Sequence, residues 1–580
     1  MSWRDFAGLR AHYAAGASPM TVAEEVLERI AAFADPALFI TQVTPDVLRA
    51  RAATLTAEGP CGRPLWGIPF VVKDNIDCAG LPTTAGCPDA AFMPTEDAPV
   101  VQRLLAAGAL LVGKVNLDQF ATGLVGVRSP HGTPRNAIVP SHVPGGSSSG
   151  SATAVAAGIA AFSLGTDTAG SGRIPAAAQE LVGLKPSLGL LPTRGVVPAC
   201  RSLDCVSIFA HGVADAAEVL QLAAGPDAAD PYSRPAPAHW RALGAATPSC
   251  RIAVPLAEQL SFDTSDDAAR FAAALDRYAA LGATIIRVDI APLLAVARRL
   301  YEGAWVAERT EAIRARVEHA PETLHPITRS ILQGGLHKLT VDAFADFHAA
   351  AQARLHAGGI FAQADALLLP THPGLPSLAD LQAEPIAANS RLGTYTNFVN
   401  LCDLAALALR NGRRGDGVPC GITLVGPAFS EGRLAALGAD FIGEALPQPV
   451  IGAEEIALFC IGAHMSGLGL NHQVLRHGGR FIAEGRTTAE YRLFDMGPRP
   501  GMLRVAEGGV AILGEVWAIP AASLGPFLAE IPPPLGFSRV RLADGSAPLG
   551  FIAEPAGVAG LPDISAQGGW RAHLAAKTAG

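Results

Sequence analysis

The chain has 580 residues and a formal net charge of −8, with 17% charged and 49% hydrophobic residues, where an average soluble protein carries about 25% charged. Intrinsic disorder, which needs low hydrophobicity and high net charge, is excluded. No Lys/Arg block offers the basic face that nucleic acid demands, so no nucleic-acid partner is expected, and the apolar content suffices for a large core.

The opening MSWRDFAGLRAHYAAG lacks an apolar signal core. No stretch reaches the roughly 18 strongly apolar residues of a membrane span, so no membrane association is expected. Thr21-Val-Ala-Glu24 has the form of a capping box ahead of a helix carrying Val22, Val26, Leu27 and Ile30. Between about residues 65 and 290, short apolar runs alternate with helical stretches. Ile68 to Val72, Leu110 to Val112, Ile252 to Val254 and Thr284 to Val288 are predicted strands; Val100 to Ala107 and Asp266 to Ala280 are predicted helices. That alternation predicts an α/β layer architecture. Ala364 to Leu369 and Gly421 to Val425 add two more strands. Ala152 to Leu164, short and rich in Ala and Gly, reads as a buried helix. Past Pro447-Gln-Pro449 the pattern turns β-rich, with strands predicted at Ile456 to Ile461, Arg480 to Ala483, Ala511 to Ile519 and Arg539 to Leu542. Two domains are therefore expected, 1–447 and 448–580. Nine Cys without a CxxC pair read as reduced thiols of a cytoplasmic protein.

Pro144-Gly-Gly-Ser-Ser-Ser-Gly-Ser151 is the most unusual segment. Gly and Ser make flexible linkers, but this run leads into Ala152–Ala161, a helix former, and then into Gly165-Thr-Asp-Thr-Ala-Gly-Ser-Gly-Arg173. Two glycine-rich loops around one helix offer positioned backbone N–H groups to an anion. A phosphate loop fails for want of a Lys after the glycines. A GxSxG elbow is formally present at Gly146, Ser148 and Gly150, but residues 139–145 make a poor strand before it. A third reading uses Gly67-Ile-Pro-Phe-Val-Val-Lys-Asp74, where Lys73 ends a strongly apolar strand. Such a Lys is either solvated or, if desolvated, a base of depressed pKa.

Together, GIPFVVKDNID, PGGSSSGSA and GTDTAGSGRIPA resemble the amidase signature family over roughly residues 20–440, with the two key serines 24 apart. The resemblance implies a mixed β-sheet core covered by helices and a Ser–cisSer–Lys triad. It makes Lys73 the catalytic lysine, Ser147 the bridging serine behind a cis peptide, Ser171 the nucleophile, and Thr168, Ala169 and Gly170 the backbone of an oxyanion hole. A serine hydroxyl attacks only when a neighbouring base takes its proton, and neutral Lys73 would do this through Ser147. Asp167 and Arg173, which flank the nucleophile, read as loop-holding residues in preference to a functional role; Asp74, next to Lys73, carries the same two readings.

GGSSSGS and GTDTAGS, with the C-terminal module, resemble the allophanate hydrolase branch of that family, whose substrate is a small anion. The resemblance makes Tyr301 and Arg309 its anchors. Eight residues apart, they would share one face of a helix, two turns apart; without the resemblance they read as an ordinary surface Arg and half-buried Tyr. The C-terminal module is similar to the small gamma-glutamylcyclotransferase-like barrel. His464 in Cys460-Ile-Gly-Ala-His464 is its candidate residue, with a structural role an equal alternative. His472 and His477 lack the partners zinc needs, so no metal is expected, and the resemblance calls for no cofactor. It further implies a homodimer and a functional link to a biotin-dependent urea carboxylase, placed in a separate protein because no biotinyl-lysine motif is present. Another small-amide amidase and an inactive scaffold binding a carboxylase remain as alternatives.

Overall fold

A computed structural model describes residues 3–237, 240–245, 250–447 and 449–579; Gln448, at the expected domain boundary, lies outside the described residues. The chain divides into two compact units. The larger holds Met1–Ala236, Ile252–Leu281 and Ile285–Ala445; the smaller holds Pro237–Arg251, Gly282–Thr284 and Leu446–Gly580. The smaller unit thus takes in two short segments that a single cut at 448 leaves in the larger.

The larger unit is built on a mixed sheet of eleven strands: β1 (Phe39–Gln42), β2 (Pro69–Lys73), β3 (Leu110–Val115), β4 (Phe162–Asp167), β5 (Val182–Lys185), β6 (Cys205–Ala210), β7 (Arg251–Pro255), β8 (Thr284–Val288), β9 (Ala366–Pro370), β10 (Leu404–Arg413) and β11 (Pro419–Pro427). Their order is β1-β3-β2-β4-β6-β5-β10-β11-β9-β7-β8. β2 runs parallel to both β3 and β4, while β4 pairs antiparallel with β6. β2 is buried at all five positions, as a continuous apolar run covered on both faces should be.

Helices pack against this sheet. The Ser149–Ala156 helix is buried from Ser149 to Val155, which its Ala, Ser and Gly permit because small side chains allow close approach on every side. The apolar stretch from Ala152 to Leu164 is not one helix: it ends this helix and then forms the first half of β4. Gly165-Thr-Asp167 accordingly belongs to a strand, and the second glycine-rich loop begins at Thr168. The first predicted cap also moves. The helix runs Pro19–Phe33, and Ser18 with Thr21 makes the capping box.

The smaller unit carries a five-stranded sheet and a separate two-stranded ribbon. Its central strands β12 (Glu455–Cys460) and β13 (Leu513–Pro520) pair antiparallel, and its core includes Phe459, Trp517, Phe551 and Trp570. The last predicted strand is displaced: the observed one is Leu535–Arg539. No described helix is long and apolar enough to cross a membrane.

Candidate functional site

β2 and β4 lie side by side and parallel, so their carboxyl ends open on the same edge of the sheet, the place where α/β sheets collect ligands. Lys73 ends β2 and Thr166-Asp167 end β4. The Gly/Ser segment before the Ser149–Ala156 helix comes to the same edge. It is pinned there by backbone hydrogen bonds: Gly146 N–H donates to Leu124 O at 2.8 Å, Asp118 N–H to Ser147 O at 3.1 Å and Gly150 N–H to Asn116 O at 3.0 Å. Ser147, Ser148, Ser149 and Ser151 are all buried, which excludes the linker reading. The Gly146–Ser147 peptide is cis.

Three side chains meet in a line. Lys73 Nζ stands 2.8 Å from Ser147 Oγ, and Ser147 Oγ stands 2.9 Å from Ser171 Oγ. Lys73 and Ser147 are 0% exposed and Ser171 3%. Lys73 also donates to Thr166 Oγ1 at 2.7 Å, to which Asn75 Nδ2 donates at 3.4 Å. Burial pushes Lys73 down to about 7; Asp118, Asp204 and Asp167 pull the other way, and Arg309 adds to the fall. Near pH 7 a large fraction of the amine is therefore neutral, with a lone pair to accept a proton. Because hydroxyls both donate and accept, the line Lys73–Ser147–Ser171 can carry a proton in either direction.

The loop bearing Ser171 is held from behind. Arg173 makes two bonds to the Asp167 carboxylate, Nε and Nη2 each at 2.9 Å, and both residues are fully buried. Gly170 N–H donates to Asp167 Oδ1 at 2.9 Å and Gly172 N–H to Oδ2 at 3.0 Å. Burial works to raise the Asp167 carboxyl, but the Arg173 charge and these bonds outweigh it and leave it lowered. Gly170 is at φ 140°, where a Cβ would run into Thr396 Oγ1. Of the three expected oxyanion donors, the Gly170 N–H is thus taken up by Asp167. The N–H groups of Thr168, Ala169 and Ser171 have no acceptor among the described residues. Asp74, beside Lys73, pairs instead with buried Lys114 at 3.2 Å.

Tyr301 and Arg309 do come together, though not on one helix. Tyr301 lies near the end of the Ala291–Glu302 helix and Arg309 within the Trp305–Ala312 helix. The corner falls at Gly303, where a Cβ would collide with Asp346 Oδ2 and Arg299 O. Asp346 also accepts the Ala304 N–H at 2.6 Å. Across this corner the Arg309 guanidinium sits 4.9 Å from the Tyr301 ring centre. Arg309 is 2% exposed, and Nη1 donates to Ala121 O at 3.4 Å. Its Nε and Nη2, and the Tyr301 hydroxyl, are buried without a partner among the described residues. Unpaired buried donors are rare in folded proteins, and here there are three on two residues in contact, two of them on one cation.

In the smaller unit, His464 is buried, its ring stacked on Phe551 at 4.7 Å and edge-on to Phe527. Its Nε2 pairs with Gln473 Oε1 at 2.8 Å, and burial lowers its pKa. Among the described residues no group of three or more His, Cys, Asp or Glu is placed to hold a metal ion. Sequence reasoning missed Thr166 and Asp204. Thr166 lies inside the GTDTAGS motif, at the end of the strand parallel to the lysine's own, and that adjacency was its available signal.

A family model described as Amidase matches residues 21–435, and one described as Allophanate hydrolase C-terminal domain matches residues 456–575. Urea amidolyase of Saccharomyces cerevisiae is 41% identical over 545 residues, which is 88% of this chain and 30% of that protein. The chain therefore spans less than a third of that relative. Among solved structures, Kluyveromyces lactis allophanate hydrolase is similar with a TM-score of 0.78 and 37% identity, covering 98% of each chain. K. lactis urea amidolyase is similar with a TM-score of 0.81 and 37% identity, covering all of this chain and 37% of the other.

Proposed function

The chain belongs to the amidase family, and from that premise we propose that it hydrolyses allophanate, with Ser171 as nucleophile, Ser147 as relay and Lys73 as base. The observation that carries this reading is the unbroken Lys73–Ser147–Ser171 line, buried and ending on an amine that burial lowers to about 7. Ser171 Oγ attacks the terminal amide carbonyl as its proton passes to Ser147 and the Ser147 proton to Lys73. Negative charge developing on the carbonyl oxygen is received by the N–H groups of Thr168, Ala169 and Ser171, an interaction worth about 3–4 kcal/mol per donor. The proton returns along the same line to the departing nitrogen, the C–N bond breaks and ammonia leaves. Water then attacks the acyl-serine through the same relay, releasing a dicarboxylated amine. The loss of two carbon dioxide molecules from that product yields a second ammonia.

Substrate choice rests on Arg309 and Tyr301. A carboxylate placed against Arg309 Nε and Nη2 and the Tyr301 hydroxyl would satisfy all three orphaned donors at once, in the two-pronged geometry Arg favours. We read 448–580 as a gamma-glutamylcyclotransferase-like domain that assists breakdown of the dicarboxylated product. His464, its pKa lowered by burial, is its candidate proton acceptor. The working assembly is a homodimer supplied by a biotin-dependent urea carboxylase.

Ammonia released per allophanate by the full chain tests the scheme. Ser171→Ala should abolish ammonia release, whereas His464→Ala should keep the first ammonia and slow the second. Ammonia release undiminished in Ser171→Ala would overturn the reading.

A further inference from the structure

The nucleophile loop is fastened by two carboxylates. Asp167 holds its second half through Gly170, Gly172 and Arg173. The first half, Thr168-Ala169, carries backbone N–H groups that must stay free for the reaction, so it needs another fastening. That fastening is a side chain: Thr168 Oγ1 donates to Asp204 Oδ1 at 2.5 Å. Asp204 is buried and also accepts the N–H groups of Ala199 (2.9 Å) and Cys200 (3.1 Å). It makes no hydrogen bond to Lys73, Ser147 or Ser171.

The turn that presents Asp204 is tied to the helix that carries Arg309. Ser202 donates through its N–H to Glu308 Oε1 and through Oγ to Glu308 Oε2, both at 2.8 Å. Cys200 Sγ points at Trp305 O from 3.7 Å. On the other side, Asn400 Nδ2 donates both to Asp167 O at 2.8 Å and to Leu203 O at 2.9 Å. One short turn, residues 199–204, is therefore bonded to the start of the nucleophile loop and to the helix of the cationic seat, and is linked through Asn400 to the end of β4.

We propose that Asp204 is a positioning residue: by gripping the Thr168 hydroxyl it keeps the free N–H groups of the nucleophile loop in register with the Arg309 seat. Substrate fixed at its carboxylate by Arg309 then presents its amide oxygen to donors whose distance from that arginine is set by the turn. A misplacement of about 1 Å in such an arrangement costs about 100-fold in rate. The inference rests on the reading above, in which Ser171 attacks the amide.

The test compares full-length Thr168→Val, Thr168→Ser, Asp204→Asn and the double variant Thr168→Val/Asp204→Asn. It uses steady-state allophanate hydrolysis, with malonate inhibition as a probe of the Arg309 seat. Thr168→Val should lower kcat about 10- to 100-fold with KM and malonate inhibition within about threefold. Thr168→Ser, which keeps the donor, should restore kcat to within about threefold of the parent. The double variant should be no worse than the poorer single one, as expected when two residues serve one contact. Full activity in Thr168→Val, failure of Thr168→Ser to rescue, or multiplied losses in the double variant would each overturn the proposal. If Asp204→Asn does not accumulate as folded protein, the two Thr168 variants decide. An inactive parent, or an active Ser171→Ala, would instead refute the reaction itself.

Discussion

Arg309→Met removes the guanidinium that the proposed reading sets against the substrate carboxylate, while keeping most of the side-chain volume. Two guanidinium nitrogens, Nε and Nη2, are buried and unpartnered among the described residues. A hydrogen bond to a charged group contributes about 1.5–3 kcal/mol, so two amount to about 3–6 kcal/mol. At 1.36 kcal/mol per tenfold, kcat/KM for allophanate should fall about 10²- to 10⁴-fold. Biuret, in which a neutral amide replaces the carboxylate, makes no such ion pair and should lose less than about tenfold. The folded state should change little: Arg309 loses one long bond to Ala121 O and its stacking on Tyr301, about 1–2 kcal/mol, and is relieved of a desolvated charge. The assay is ammonia release from both compounds, with thermal midpoints recorded alongside. Equal losses on allophanate and biuret would refute the reasoning, because they would place Arg309 in the architecture rather than at the carboxylate.

The acid limb of kcat/KM should report Lys73. Burial has lowered this amine to about 7, and only its neutral form accepts the relayed proton, so activity should fall about tenfold per pH unit below about 6 and level off above about 8; a limb near pH 10 would contradict the assignment. Thr166→Val removes the hydroxyl that accepts a Lys73 proton at 2.7 Å. The charged amine loses more than the neutral one by that change, so the limb should move to lower pH while kcat drops about tenfold, and an unmoved limb with unchanged kcat would show that Thr166 does not hold the lysine.

Much of the site was legible because its chemistry sits in contiguous letters. Five apolar residues, Ile68 to Val72, followed by Lys73 spell a buried strand with a base at its tip. The serine run was recognisable by its company, although composition alone describes a linker. What stayed hidden depended on neighbours. Ala152 to Leu164 has no period that separates helix from strand; only the pairing of β4 with β2 and β6 decides where one stops. Tyr301 and Arg309 were expected to meet along one helix, and they meet across a corner that Asp346, more than thirty residues later, holds in place. Asp204 acts through a contact 36 positions away in the chain, beyond the reach of any local pattern. Asp167 and Arg173 were read as loop-holding, and they form a fully buried two-bond pair behind the nucleophile. His464 showed its place after a strand, but its cage comes from Phe527 and Phe551, residues no spacing rule connects to it.

The corner at Gly303 separates two properties that a straight helix would lock together. In a continuous helix the span between an aromatic hydroxyl and a guanidinium eight positions on is dictated by pitch, and only whole-residue steps could alter it. Here the span is set by the angle between two short helices and by the carboxylate wedged at their junction. Evolution, or a designer, can therefore retune the reach of the pair by editing the junction, leaving Tyr301, Arg309 and Ser171 untouched.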